Sequence, residues 1–574
     1  MTKILLMNIP GAVIPSDYPP IAISRVLEGV DLSLDCEISF YNLDYYRPDF
    51  DAIENKIKLL APKIIGFSAI LTPYYAYLKR LSNFISEKFP GIIQVLGGQM
   101  SVISNLIFSE TKVNFCVVGE SEPTFSNLIR RLKENNFEIK NKENYKNIKG
   151  LVLLINNMPY FTGYENEDLR KGLKQFNYKM MSRFTSLDNY IHRIDGQYFK
   201  IRLGNSDINN FLKLLYPDNL HKNLATVFSS KGCVNRCTFC HRYNKGYSVV
   251  DFNELINHIE YLKREHNIGL ILFGEENFGS NKVFTSRLVE YLRTSGLNWG
   301  AGGVRVKTVD EEIIKTWKES GCVHINFGIE SFSQKMLDIM EKNSTVEDNL
   351  KAVRLCYKYK IFTVPGVVLG MPGETEETLE ETIKNFSTLI PDSMDLPFEN
   401  YINFVQAIPG MPLYGYAKRL GLLGYSIEEE DRYMEGLYDV NANEIKPYLN
   451  FTDYEKEEIA YWWFYIYLEL MVAYIKKFGY LNVLKYKKTK WYRSGLVYIL
   501  LPKKVRKLLL KYIVLIKDFG FKRLGYIVIK KAVKIFNSKT ERFKRINQSL
   551  RKINHEIPLL LREDEVSTAV LREG

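Results

Sequence analysis

Residues 231–243 read KGCVNRCTFCHRY. Three cysteines, Cys233, Cys237 and Cys240, fall in a Cys-x3-Cys-x2-Cys spacing. Three thiolates are one short of a closed tetrahedral metal site. A zinc ion completed by His241 is the plain alternative, but adjacent residues rarely both reach one tetrahedral ion, and no second ligand pair follows. As corners of a four-iron, four-sulfur cluster, the same thiolates leave one iron open to an external ligand. The chain begins MTKILLMNIP, which reads as a first strand and not as an export signal. Seven cysteines at irregular spacing then point to a reducing cytosol and a metal site, not to disulfides.

Working outward from the triad, strand-like runs occur at LATVFSS, LILFGEE, NWGAGGV, VHINFGIES, FTVPGVVLG and INFVQAIPG, separated by helical stretches such as FNELINHIEYLKREH. Six strand–helix units predict a partial (β/α)6 barrel of the TIM type over residues 223–425. Polar residues at the carboxyl ends of barrel strands are where function is expected. Here they include Glu275, Glu276, Arg305, Glu330 and Ser331.

Upstream, KILLMNI, EISFYNL, KIIGFSAI, IIQVLGG and FCVVGE alternate with helical patterns, predicting a doubly wound, flavodoxin-like parallel sheet over residues 1–140. Such sheets take ligands beyond the carboxyl ends of their strands. Three strands end in ligand-friendly sequence: Ser68-Ala69, Gly97-Gly98-Gln99, and Gly119-Glu120-Ser121-Glu122. The bland reading of the same glycines is tight turns.

Taken together, these features resemble the cobalamin-binding radical SAM family: an N-terminal cobalamin-binding domain followed by the radical SAM core. The matches upstream are Asn8 and Pro10, Gly97 and Gly98, and Gly119, Glu120 and Glu122. The resemblance implies three cofactors: a 4Fe-4S cluster on Cys233, Cys237 and Cys240, S-adenosylmethionine (SAM) and cobalamin. SAM would supply the missing iron ligand through its amino and carboxylate groups, and its reductive cleavage would give a 5′-deoxyadenosyl radical. Phe239 would lie near the adenine, Glu275 or Glu276 would meet the methionine ammonium, and Arg305 would pair with its carboxylate. Glu330 and Ser331 would bond the ribose. The run with Gly366, Gly370, Gly373 and Glu374 resembles the family's adenosine-binding fifth strand. AIPGMPLY resembles a recurring Pro-Gly-Thr-x-Leu-Tyr segment, with Met411 in place of threonine. Ser68, Gly97, Gly98, Gln99, Gly119, Glu120 and Glu122 are the expected cobalamin contacts. No Asp-x-His-x-x-Gly motif is present, and no histidine precedes His192, so the first domain offers cobalt no imidazole.

The activity implied is methyl transfer to an unactivated carbon, with cobalamin as methyl carrier. A radical cyclase or rearrangement enzyme using the same cofactors is the alternative. A non-catalytic cobalamin sensor with a vestigial barrel is a third reading, opposed by the intact triad with Glu275, Arg305 and Glu330. A small-molecule or lipid-like substrate and a one-electron donor such as flavodoxin or ferredoxin would complete the system. His241 and Tyr243 are candidates for lining the site. His324, within a strand, reads as structural, as do Cys36, Cys116, Cys322 and Cys356.

Residues 141–222 read as an irregular connector with one clear apolar strand, GLVLLINN, and residues 426–574 as a basic, mainly helical region. Of the net charge of +12, residues 476–555 hold 24 Lys and Arg against two acids, so the remaining chain is acidic. IAYWWFYIYLELMVAYI, 459–475, carries Glu469 at its middle and reads as a buried helix, not a membrane span. Lysines interleaved with aliphatic residues read as peripheral contact with a membrane surface, with a solvated basic face as the bland alternative. A nucleic-acid partner would require a recognisable binding fold, and none is evident. The expected place is the cytoplasm, at the inner membrane face.

Overall fold

The computed structural model describes residues 1–514, except 12–14, 70–71, 120, 165–173, 194–218, 220, 242–245, 395–397, 399, 438–447 and 487–499. Glu120 and Tyr243 therefore lie outside the described residues, as does the tail beyond 514.

β1 (Thr2–Asn8), β2 (Cys36–Asn42), β3 (Ile64–Ser68), β4 (Ile93–Gly97) and β5 (Phe115–Val117) form a parallel sheet in the order 2-1-3-4-5. That is the flavodoxin-like winding expected, with the order reversing between β1 and β3. Alternation along β1 explains why helices cover both faces. Ile4 and Leu6 pack with the helices Ile21–Gly29 and Ser121–Glu134, while Leu5 and Met7 pack with the helix Tyr75–Lys88.

The sheet continues past the expected boundary at residue 140. β6 (Leu151–Ile155) pairs antiparallel with β5, and β7 (Met158–Phe161) with β6. This hairpin covers an edge that β5 would otherwise leave open, so part of the expected connector belongs to the first sheet. A further piece of that connector, β8 (Ile191–Arg193), pairs antiparallel with β9 (Asn223–Val227).

β9, β12 (Ile268–Phe273), β13 (Asn298–Val304) and β14 (Cys322–Phe327) are parallel neighbours. β15 (Gly366–Leu369) and β16 (Tyr401–Phe404) continue the wall, joined to β14 by bridges at His324–Phe362 and Glu330–Val367. The six predicted barrel strands all form. β10 (Ser230–Gly232) and β11 (Tyr247–Val249) make a short antiparallel pair around the cysteine loop.

Behind the barrel lies the helix Lys456–Phe478, buried along most of its length. Glu469 is buried there against Arg506, both carboxylate oxygens 3.0 Å from the guanidinium. Among the described residues no helix is long and apolar enough to cross a membrane.

The chain after the barrel returns to the first domain. Tyr75 donates its hydroxyl to Asp431 at 2.6 Å, and Lys79 lies 2.6 Å from Asp431, 3.1 Å from Glu435 and 3.2 Å from Glu110. Met434 and Leu437 join the hydrophobic cluster beneath this network.

Candidate active site

The cysteine loop follows β9 and is fastened from several sides. Asn235 donates its side-chain amide to Cys237 Sγ at 3.2 Å and to the Lys342 carbonyl at 3.1 Å. Its backbone N–H points to Cys233 Sγ at 3.4 Å. Thr238 is fully buried; its N–H and hydroxyl bond the carbonyls of Met340 and Ile339, and its own carbonyl accepts from Leu413. The loop is thus tied to the turn after β14 and to the AIPGMPLY stretch.

Cys240 is open by surface area, yet protein surrounds its sulfur on most sides. Burial, with the neighbouring Cys237 charge, pushes its thiol up to about 12, and burial likewise raises Cys237. The charges of Cys237 and Cys233 both act on Cys240, so the three thiols form one electrostatic group. Among the described residues, no three His, Cys, Asp or Glu side chains converge on a single ion. His241 instead faces Glu276, with Nε2 at 3.3 Å.

The two glutamates after β12 separate clearly. Glu276 is partly exposed beside His241, whereas Glu275 is buried. One Glu275 oxygen accepts from the Ser229 hydroxyl; the other, Oε2, is buried without a hydrogen-bond partner. Burial pushes this carboxyl up to about 7. A buried carboxylate oxygen with nothing to bond is costly, and a cation placed there would relieve it. Gly303 explains how the turn stays compact. Its φ is +62°, and a Cβ would stand 2.5 Å from the carbonyl oxygens of both Glu275 and Glu276.

Glu330 also has a positive φ, +64°, a strained conformation for a non-glycine residue. Its carboxylate holds Lys342 at 3.0 Å, and the ammonium sits 5.7 Å from the Phe239 ring centroid. Lys342 is raised despite its burial, by Glu330 and by the cysteine thiolates. Sequence reasoning missed this lysine, which belongs to no periodic pattern or motif. Arg305 is half-buried after β13, and no described residue bonds its guanidinium.

Other expected contacts are engaged within the fold. The Ser331 hydroxyl accepts from the Ser333 N–H and meets Thr382, so its commitment is internal. Gly366 makes room for the Tyr401 ring, and Gly370, at φ +89°, for Tyr448. Glu374 closes that turn by accepting the Gly370 N–H at 2.5 Å, and burial pushes its carboxyl up to about 8. His324 is held neutral by burial, down to about 4, consistent with a structural residue.

In the first domain, a cleft opens between the sheet and the helices Ile21–Gly29 and Ser121–Glu134. Leu6, Ile23, Phe67 and Phe125 give it an apolar lining, and Ser68, Gly97, Gly98 and Ser121 mark its rim. Gly98 has φ +97°, and a Cβ there would meet the Ala69 carbonyl at 2.6 Å. Gln99 Oε1 and Asn8 Oδ1, at the ends of β4 and β1, are buried without partners. Gly119 follows β5 with φ +81°. Glu122 turns to Arg25, 2.6 Å away, and joins the two helices.

The profile described as the Radical SAM superfamily matches residues 227–386, and that of the B12 binding domain matches residues 7–129. The chain carries both domains of the cobalamin-binding radical SAM family. Relatives within this group differ in chemistry. The anaerobic magnesium-protoporphyrin IX monomethyl ester cyclase of Cereibacter sphaeroides is 25% identical over 71% of this chain, and the match spans 63% of that protein. An uncharacterized methyltransferase of Pyrococcus horikoshii is 25% identical over 65% of this chain and 73% of its own length. The solved structure of OxsB, a cobalamin-dependent SAM radical enzyme with aqua-cobalamin and SAM bound, covers 100% of this chain and 80% of its own, with a TM-score of 0.56 at 14% identity. That likeness is one of fold.

The cofactors of a cobalamin-binding radical SAM enzyme are a 4Fe-4S cluster, SAM and cobalamin, and the residues present suit them. Three thiols in one loop would be suitable donors to such a cluster. The unpartnered Glu275 oxygen would suit a cation such as the SAM ammonium. The first domain's apolar cleft, with its close-packed Gly98 turn and unpartnered Gln99 and Asn8 oxygens, suits part of a large cofactor with polar groups at its rim.

Proposed function

We propose that this enzyme methylates an unactivated carbon of a small-molecule or lipid-like substrate in the cytoplasm, drawing electrons from a flavodoxin- or ferredoxin-type donor. When bound, the cofactors supply a carbon-centred radical for hydrogen abstraction and a transferable methyl group. The chain's own part is to hold and orient. Cys233, Cys237 and Cys240 ligate the cluster, and Asn235, bonded to two of these sulfurs, keeps the loop in shape. Glu275 takes the SAM ammonium, and Arg305 pairs with the carboxylate of the same methionine. Glu330, fixed by Lys342, reaches a ribose hydroxyl, and Phe239 flanks the adenine. Ser68, Gly97, Gly98, Gln99 and Gly119 border the cobalamin site, where the first domain offers the metal no histidine.

The observation that carries this reading is Glu275. It is a buried carboxylate with one free oxygen at a barrel strand end, in the same chain as a three-thiol loop and an apolar cofactor cleft. Similarity to the cyclase supports a second reading, radical ring formation with the same cofactors. Incubation with methyl-labelled SAM, reductant and a cell extract separates the two. Label in a product that depends on all three cysteines supports methylation; 5′-deoxyadenosine with an unlabelled, ring-closed product supports cyclisation.

A further inference from the structure

The helix Lys503–Val514 pairs four of its five cations with acids of the fold and turns hydrocarbon outward, with Lys504 exposed. Lys503 lies 2.7 Å from Glu380, Lys507 lies 3.0 Å from Glu376, and Lys511 pairs with Glu458. Arg506 is buried against Glu469. Leu510 fills the space between them. The opposite face presents Val505, Leu508, Leu509, Tyr512 and Ile513, between 41% and 56% exposed, with Leu500 just before them at 76%. These positions follow the i, i+4 and i+1, i+5 rows of one helical face. A solvated surface helix has the reverse arrangement, and an apolar patch of this kind marks a surface that meets something.

We infer that this face docks on an anionic lipid surface, with the side chains of Val505, Leu508, Leu509, Tyr512 and Ile513 inserted at the headgroup boundary. The argument for that occupant is charge complementarity. The residues just before the helix include Lys485, Lys487, Lys488, Lys490 and Arg493, and residues 515–555 hold 12 Lys and Arg against two acids. Positive sequence thus precedes and follows the helix along the chain. A second copy of the chain would bring the same positive flanks into opposition, whereas an anionic bilayer answers both the hydrocarbon and the charge. Lys503, Lys507 and Lys511 do not serve lipid contact as the sequence pattern suggests, because the acidic residues Glu376, Glu380 and Glu458 hold them, which leaves Lys504 exposed to the headgroups. The inference is independent of the reaction catalysed.

The test uses the full chain and its Leu508→Asp/Leu509→Asp variant, floated with phosphatidylcholine vesicles with and without phosphatidylglycerol, at low and high salt. Binding that requires phosphatidylglycerol, weakens with salt and falls roughly tenfold or more in the variant is expected. The variant should match the parent in melting temperature and in 5′-deoxyadenosine formation. A Tyr512→Trp variant should show blue-shifted emission on addition of the anionic vesicles. Absence of vesicle binding by the parent chain overturns the inference. So does a vesicle-independent shift from dimer to monomer in the variant, which would assign the face to a second copy. A fall in its melting temperature without lipid would assign the face to the chain's own residues 515–574.

Discussion

Replacing Glu275 by glutamine should strengthen the protein and weaken its grip on SAM. The carboxyl is fully buried and its pKa stands at about 7, against an ordinary 4.5, with burial as the leading cause. At 1.36 kcal/mol per unit, keeping it ionised costs the folded state on the order of 3 kcal/mol. The sign follows from proton binding. Between pH 4.5 and about 7 the folded protein holds the proton that the unfolded chain has lost, so stability falls as pH rises through that window and stays low above it. Glutamine cannot ionise and retains an oxygen for the Ser229 hydroxyl. At pH 8, without SAM, Glu275→Gln should therefore unfold at a higher temperature than the parent, and the gap should close towards pH 4.5. The SAM ammonium loses its counter-charge in the same variant. A hydrogen bond to a charged group is worth roughly 1.5–3 kcal/mol, so affinity should fall roughly 10- to 150-fold. Differential scanning calorimetry across pH and equilibrium dialysis with labelled SAM on cluster-loaded protein measure the two effects. Unchanged SAM affinity, or lower stability at pH 8 without ligand, would refute the reasoning.

Gly98→Ala places a Cβ 2.6 Å from the Ala69 carbonyl at a positive φ; it should abolish cobalamin retention, read by absorbance after gel filtration, while SAM cleavage to 5′-deoxyadenosine persists. Gly303→Ala, with its Cβ 2.5 Å from two glutamate carbonyls, should do the opposite, lowering SAM affinity and sparing cobalamin. Arg506→Met leaves Glu469 buried and unpaired and should cost about 3–5 kcal/mol, whereas Arg506→Met/Glu469→Leu should recover most of that loss in chemical denaturation.

The parallel strands were legible because buried strands read as unbroken apolar runs, and all eleven predicted runs form strands. The cysteine triad was legible because a cluster loop is local in sequence. What escaped depended on long-range placement. Glu275 and Glu276 are adjacent, and only the fold shows that one is buried on Ser229 while the other meets His241. Lys342 becomes part of the site through Glu330, twelve positions earlier, and through a ring in a different loop. β6 was legible as the apolar run GLVLLINN, but its pairing with the edge of the first sheet was not, because an edge strand is recognised by its partner, not by composition. The helix Lys503–Val514 carried the pattern of a basic amphipath correctly but not its orientation, which acidic residues more than forty positions away decide.

The network joining Tyr75 and Lys79 to Asp431 and Glu435 also determines how this protein can be divided. A fragment ending at residue 425, where the barrel's sequence pattern stops, would contain every cofactor-facing residue named above. It would also lack Asp431, Met434, Glu435 and Leu437, uncovering one flank of the first domain's core and leaving Lys79 with Glu110 alone among those three acids. The strap formed by Ile427–Gly436 comes after the barrel in sequence, but it is a lid on the domain that precedes the barrel. The smallest portion carrying both cofactor domains in their native relation therefore ends beyond Leu437, and shorter excisions should be expected to expose apolar surface and aggregate.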